Sequence, residues 1–169
     1  VELTDVAGNT LTESFTVTVA GEPLAEVRID LTYLQGNPIS SVEVGQEFLL
    51  NMVAVDARLF NKPGVFAAYA DIQFDSAIIR PVSSAQIEYA GGFNSLPKGT
   101  LATGLIDEVG AVSNDVSPTF DPENLVATIR MEALATGTVN IRSEPADETD
   151  SEFLLYFEDD KIPADAVFY

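Results

Sequence analysis

The chain has 169 residues, of which 46% are hydrophobic and 21% charged, a composition typical of a globular domain that can bury a full core. It contains neither histidine nor cysteine, which excludes a Ser-His-Asp triad, thiolate metal sites and disulfides. Its 27 acidic and 8 basic residues give a net charge of −19, so nucleic acid and anionic membrane surfaces are not expected partners.

The acidic surplus also bears on ligands and on location. Calcium takes its oxygen ligands from Asp, Glu, Asn and backbone carbonyls, so calcium is an expected cofactor. The alternative is that the acids only keep the surface soluble. No apolar run approaches the ~20 residues of a spanning helix, so direct membrane insertion is not expected. The lack of a start methionine, of a signal peptide and of a lipidation motif suggests a processed chain or a segment of a longer secreted protein.

Residues 1–20 predict a β-hairpin around the turn Asp5 to Asn9. Phe15, Val17 and Val19 alternate with polar residues and form an apolar face, our candidate interaction site. The stretch DVAGNTLTESFTVTV resembles the last two strands of bacterial immunoglobulin-like or cadherin-like repeats. Because an isolated hairpin is marginal in water, it either packs on the main domain or adds strands to another subunit.

Residues 21–26 predict a linker, and the main domain is expected over residues 27–169. Val27 to Tyr33 and Phe48 to Val55 predict the first strands. The loop Asp56 to Pro63 carries Arg58 and Lys62 and predicts a surface ion-pair site, a type usually worth under ~1 kcal/mol.

The stretch GVFAAYADIQFDSAIIRPV, Gly64 to Val82, predicts the central strand of a β-sandwich. Its Ala68, Ala70, Ile72 and Phe74 alternate with Tyr69, Asp71, Gln73 and Asp75, so the first set is expected in the core and the second on the solvent side.

The middle of the chain is less regular. Ser84 to Tyr89 predicts a short helix, and Phe93 is expected to anchor the following loop in the core. Asp107, Glu108 and Asp115 are candidates to face a common cation, although such acids are more often solvated loop tips.

The last third predicts further strands. Leu125 to Ala133 alternates, with Leu125, Ala127, Ile129 and Met131 on one face, and a turn at residues 135–138 predicts a hairpin with Val139 to Arg142. Phe153 to Phe157 predicts a last buried strand.

Two acidic clusters near the carboxyl end are the candidate calcium ligands. Neither has EF-hand spacing. The candidate metal-binding residues are Asp147, Glu148, Asp150, Asp159 and Asp160.

The order of these motifs resembles a known family. VGQEFLLNMVAVD (Val44 to Asp56), GVFAAYADIQFD (Gly64 to Asp75) and LVATIRMEALATGTVNI (Leu125 to Ile141) are similar to motifs of the cohesin and carbohydrate-binding-module superfold. The resemblance implies an all-β, antiparallel β-sandwich with jelly-roll topology, here with an N-terminal β-hairpin. It also implies a non-catalytic module of large secreted bacterial proteins of the planctomycete type.

Two functions from different classes follow. The first is an extracellular assembly module, such as a surface-layer, adhesin or filament subunit, whose partners are copies of itself or neighbouring domains. The alternative is a module that binds a dockerin-like peptide or a polysaccharide, as cohesins and the related modules do. Trp is absent, which disfavours polysaccharide. An enzyme is not expected, because adjacent acids such as Asp107 and Glu108 point apart on a strand.

Overall fold

The computed structural model describes residues 22–148 and 152–169, together with the backbone of two short strands near the amino end. The described part is almost entirely β, and its helical structure is a 3-10 turn at Ala164–Ala166. The strands are β1 (Glu2–Thr4), β2 (Thr10–Thr12), β3 (Ala25–Thr32), β4 (Glu47–Asp56), β5 (Val65–Gln73), β6 (Ile79–Pro81), β7 (Ile87–Tyr89), β8 (Phe93–Ala102), β9 (Leu105–Ser113), β10 (Glu123–Ala133), β11 (Arg142–Pro145), β12 (Phe153–Leu155) and β13 (Val167–Phe168).

The first sheet has six strands in the order β13-β3-β4-β10-β6, with β7 also paired to β10. β10 pairs with β4 along one edge, and its other edge is shared by β6, opposite residues 131–133, and β7, opposite residues 127–129. The pairs are antiparallel except that β13 runs parallel to the start of β3. Both edges of β10 are therefore occupied.

The second sheet has five strands in the order β11-β5-β9-β8, with β12 also paired to β5. β5 pairs with β9 on one edge, and β11 and β12 follow each other along its other edge. β5 is thus the central strand, as its alternation predicts. The antiparallel β-sandwich expected from the sequence is confirmed.

The core lies between the two sheets, where their facing side chains meet. Its largest fully buried residues include Phe48, Leu50, Met52, Ile72, Ile106, Ile129, Met131 and Phe153. Phe93 joins this core, as predicted. A register shift between Leu125 and Ala127 places Val126 in the core and leaves Leu125 exposed, so the predicted alternation of β10 holds only beyond that shift.

The predicted last strand, Phe153 to Phe157, ends at Leu155, before the exposed Phe157, and is followed by β13. Two further local predictions are wrong at the edges of β10. The segment predicted as a helix at Ser84 to Tyr89 instead contains β7, because the free edge of β10 offers backbone partners to Ile87–Tyr89. The hairpin predicted between β10 and residues 139–142 does not form, because β4, β6 and β7 already occupy both edges of β10. The chain crosses instead to the second sheet, where β11 pairs with β5.

At the amino end, β1 and β2 form an antiparallel two-stranded sheet, in which Glu2 lies opposite Thr12. This agrees with the first part of the predicted hairpin. The predicted interaction residues Phe15, Val17 and Val19 lie outside the described residues. The division into hairpin, linker and sandwich stays a prediction.

Asp56, the last residue of β4, stabilises the connection from the first sheet to the second. Its completely buried carboxylate accepts hydrogen bonds from Arg58 Nε at 2.9 Å and Nη2 at 2.7 Å, from the Arg58 backbone N–H at 3.3 Å, and from the Gly64 N–H at 3.1 Å. Arg58 Nη1 also donates to Glu158 at 2.9 Å. The pKa of Arg58 is raised, chiefly by its hydrogen bond to Asp56. The ion pair predicted as a surface feature is therefore a buried one.

Replacing Asp56 by alanine is expected to lower the free energy of unfolding by about 3 kcal/mol, because it leaves a largely buried guanidinium and a backbone N–H without their acceptor. Urea unfolding of the full chain, followed by circular dichroism, measures the change. The matched control is Glu132→Ala, which breaks the exposed pair with Arg80 and should cost less than about 1 kcal/mol. Equal losses of stability in the two variants would contradict the conclusion that Asp56 and Arg58 form a buried, stabilising pair.

Candidate functional site: the outer face of the second sheet

The second sheet is apolar on both of its faces. Ala68, Ala70 and Ile72 of β5 face the main core, whereas Ala67 and Tyr69 belong to a second buried cluster together with Ala146. Phe66, Val112 and Leu154 are half-buried around this second cluster. Antiparallel sheets commonly bury one face and present the other to water, so the outer face of this sheet departs from the usual pattern.

Tyr69 lies at the centre of the outer face. The sequence predicts it on the solvent side, yet it is only 3% exposed. Its hydroxyl donates to the carbonyl of Leu96 at 2.8 Å, and burial raises the pKa of this phenol. The buried phenol is stable there because its hydroxyl has an acceptor.

The irregular edge strand β8 covers Tyr69. Its pairing with β9 is interrupted by register shifts between Phe93 and Ser95, between Ser95 and Lys98, and between Lys98 and Thr100. Within this bulged stretch Leu96 has a φ of 48°, which places its carbonyl on the Tyr69 hydroxyl while its own side chain stays 75% exposed. The outer face therefore presents Leu96 above a layer of buried apolar side chains.

Gly110 of β9 makes room for the Tyr69 ring. A Cβ at this position would lie 2.1 Å from the Ala68 carbonyl oxygen and 2.6 Å from Cδ1 of Tyr69. An isolated glycine inside a strand commonly marks such a close approach.

Gly110→Ala is expected to destabilise the fold by about 1–3 kcal/mol, because the methyl group must displace backbone atoms of β5. Thermal unfolding checks this, together with loss of the Tyr69 environment in near-ultraviolet circular dichroism. Gly91→Ala is the control, since a Cβ there meets nothing within 4 Å. If the Gly110 variant is as stable as the Gly91 variant, then Gly110 does not lie as close to the backbone of β5 as described.

Next to the apolar cluster, two carboxylates accept hydrogen bonds from backbone N–H groups. Asp71 accepts the N–H of Glu108 at 2.8 Å, and Glu108 stands at a bulge of β9 with a φ of 53°. The buried carboxylate of Glu108 accepts the N–H groups of Asp147 at 2.6 Å and Glu148 at 2.8 Å. Glu108 thus ties the loop after β11 to β9.

The pKa of Asp71 is raised, chiefly by burial and also by the negative charges of Asp107, Glu108 and Asp147, while the Glu108 N–H opposes the shift. Asp115, predicted to share a cation with Asp107 and Glu108, lies beyond the far end of β9. At ~3.3 Å per residue the separation from Glu108 is about 20 Å, so the three residues do not meet.

The predicted calcium ligands lie in two separate loops. The side chains of Asp147 and Glu148 are exposed after β11, those of Asp159 and Asp160 are exposed after β12, and Asp150 lies outside the described residues. Within residues 22–148 and 152–169, no three acidic side chains are grouped closely enough to hold a metal ion. Calcium binding stays a prediction.

Sequence reasoning missed Leu96 and Ala146, predicted Tyr69 on the solvent side, and named Glu108 as a candidate cation ligand and not as an acceptor of backbone N–H groups. Gly110 inside a strand pattern was a usable signal for the packing of Tyr69. Pro97 and Gly99 were signals for an irregular edge strand. No local pattern indicates that Glu108 binds backbone groups nearly 40 residues further along the chain, at Asp147 and Glu148.

No helix of the described residues is long and apolar enough to cross a membrane.

Comparison with known proteins gives a likeness in fold. No protein-family model matches the chain, and no curated protein matches it. A type I cohesin, the seventh of ScaB from Pseudobacteroides cellulosolvens, is 15% identical with a TM-score of 0.47, covering 71% of this chain and 73% of that one. A type II cohesin domain from the cellulosome of Acetivibrio cellulolyticus is 15% identical with a TM-score of 0.48, covering 76% and 78%.

The sixth cohesin of scaffoldin B from Acetivibrio cellulolyticus, solved in complex with a mutant Cel5 dockerin, is 7% identical with a TM-score of 0.47, covering 70% of this chain and 82% of that one. These likenesses concern the fold alone.

Proposed function

We propose that the protein is a non-catalytic module that binds another protein through the outer face of its second sheet, defined by Phe66, Tyr69, Leu96, Val112 and Leu154. The observation that carries this proposal is the set of half-buried residues Phe66, Val112 and Leu154 around the second apolar cluster on the outer side of β5, together with the exposed Leu96. Apolar surface beyond the needs of the core is a common mark of a protein interaction site.

The sheet face suits a folded partner better than an added strand. β8, the edge strand on this side, has three register shifts and contains Pro97, which lacks a backbone donor. Bulges and proline on an edge oppose strand addition. Contact through the face itself remains open, with Leu96 already projecting to solvent.

The partner we propose is a dockerin-like module. The support is the sequence resemblance to cohesins, whose partners are dockerins. The same resemblance supports a secreted protein with several domains. The assembly role as a surface-layer, adhesin or filament subunit stays a prediction. Among the described residues, no contact site favours copies of the protein or neighbouring domains as partners.

Polysaccharide binding is less well supported. Carbohydrate platforms favour exposed tryptophan and tyrosine rings, which combine an apolar face with a hydrogen-bonding group. All five tyrosines of this chain are buried or half-buried, and tryptophan is absent. Catalysis lacks support as well. The buried carboxylates of Asp56 and Glu108 are engaged with Arg58 and with backbone N–H groups, so neither is presented to a substrate.

The test is binding of the full chain to a panel of dockerin modules, measured by isothermal titration calorimetry. Leu96→Asp is expected to weaken binding at least about tenfold, because it places a charge on the apolar face without disturbing a buried side chain. The Leu96 backbone carbonyl, which accepts from Tyr69, is unchanged by the substitution.

Leu34→Asp is the matched control, since Leu34 is 42% exposed in the turn after β3, away from this face. It is expected to leave binding unchanged. Failure of every dockerin module to bind would contradict the proposed partner, and equal losses in the two variants would contradict the proposed surface.

A further inference from the structure

Three loops at one end of the sandwich are bonded to one another. They are residues 57–64 between β4 and β5, residues 114–122 between β9 and β10, and residues 156–161 after β12. The N–H of Phe120 donates to the Pro63 carbonyl at 3.1 Å, and the N–H of Tyr156 donates to the Gly64 carbonyl at 3.1 Å. The Tyr156 hydroxyl reaches the Asp115 carbonyl at 2.6 Å. We name these three loops the end-loop surface.

The end-loop surface exposes large apolar side chains from all three of its loops. These side chains are between 63% and 93% exposed. They are Leu59, Phe60, Val116, Phe120 and Phe157. Single exposed apolar residues are ordinary, but several such residues on loops that are joined to each other indicate a contact surface.

Backbone strain accompanies the exposed aromatic rings. Phe120 has a φ of 57° and Phe157 a φ of 70°, a region in which a bulky residue costs about 1–2 kcal/mol. Neither ring gains burial in return. Gly64, with a φ of 105°, holds the loops together where a Cβ would come 2.8 Å from the Asp121 carbonyl. The loops therefore keep a strained arrangement that presents the rings to solvent.

The charge around these rings is negative. The exposed side chains of Asp115, Asp121, Asp159 and Asp160 lie on the same loops, and none of them forms an ion pair within the described residues.

The bases of these loops already have acidic neighbours. Arg58 is paired with Asp56 and Glu158, and Lys161 with Glu152 at 2.9 Å. Lys62 lies near Glu123 and contributes to lowering the pKa of that carboxyl, after the larger effect of Arg28. The end-loop surface thus combines apolar rings with a surplus of carboxylates.

We infer that the end-loop surface binds a protein segment whose bulky apolar side chains are flanked by lysine or arginine. Such a segment would cover Phe60, Phe120 and Phe157 while its bases meet the surrounding carboxylates. A second copy is disfavoured, because each copy has a net charge of −19. Residues 1–21 are disfavoured too, because they contain Glu2, Asp5 and Glu13 and no base. This surface is defined by other exposed residues than the outer face of the second sheet, which it adjoins where Tyr156 contacts Phe66 with ring centroids 5.4 Å apart. The inference does not depend on the proposed function, because its test uses different residues and a different ligand.

The test uses fluorescein-labelled synthetic peptides and the full chain, with fluorescence anisotropy as the readout. One peptide carries phenylalanines flanked by lysines, the second replaces the lysines with glutamates, and the third replaces the phenylalanines with serines. The first peptide is expected to bind roughly tenfold or more tightly than the other two, and more weakly as the salt concentration rises. Equal binding of the glutamate peptide, or no binding of the first peptide, would overturn the inference.

Two double variants locate the peptide. Phe60→Ser with Phe157→Ser is expected to weaken binding of the first peptide roughly tenfold. The control, Leu34→Ser with Val44→Ser, changes exposed apolar residues at the opposite end and is expected to leave binding unchanged. Equal affinities in the two variants would overturn the location.

Two further outcomes would identify a different occupant. If Phe15→Ser with Val17→Ser tightens peptide binding, residues of the amino-terminal segment already cover the surface, and the inference is wrong. If light scattering shows a dimer that the Phe60 and Phe157 substitutions dissociate, the occupant is a second copy, and the inference is equally wrong. A monomer with unchanged affinity in the amino-terminal variant supports it.

Discussion

The fold depends on a buried carboxylate at the point where the chain first leaves one sheet for the other. Asp56 ends β4 in the first sheet, and Gly64 precedes β5 in the second. The carboxylate accepts hydrogen bonds from the Gly64 N–H and from Nε and Nη2 of Arg58, so its burial is compensated by charge and by hydrogen bonds. Since Arg58 also reaches Glu158, the same pair attaches the segment after β12. One interaction thus positions both sheets and the end-loop surface.

The second sheet shows how a surface suited to binding can arise from an otherwise ordinary sandwich. β5 contributes small residues to both faces, which lets Tyr69 lie flat over Gly110 on the outer side. The bulged strand β8 then accepts a hydrogen bond from the phenol hydroxyl through the Leu96 carbonyl. The result is a partly apolar face that lies next to the carboxylates of Asp71 and Glu108. A face of this kind can recognise a partner without a catalytic group.

The local periodicity of the sequence was sufficient to predict much of the fold. The alternation in β5 identified the central strand, and the one in β10 identified a core strand, because each follows the period of two of a strand beside a core. The same reasoning failed at β7 and at residues 139–142, where the outcome depends on which edge of β10 is still free. That is a property of the assembled sheet, and no short window of sequence contains it.

The candidate site was less predictable than the fold for the same reason. The Tyr69 hydroxyl donates to the Leu96 carbonyl, and the Glu108 carboxylate accepts from the N–H groups of Asp147 and Glu148. All of these bonds join residues that are distant in the chain. The acidic clusters were visible in the sequence, but the hydrogen-bond and ion-pair partners of each carboxylate were not. The loop with Arg58 and Lys62 predicted a surface ion pair, whereas the acidic partner of Arg58 is Asp56, whose side chain tertiary packing buries completely.

The most direct test of the central claim is a map of backbone amide chemical shifts in the full chain, recorded by nuclear magnetic resonance during titration with a dockerin module that binds it. The largest changes in chemical shift are expected on the outer face of the second sheet, at Tyr69, Leu96 and Val112. Changes confined to β3, β4 and β10 of the first sheet would contradict it.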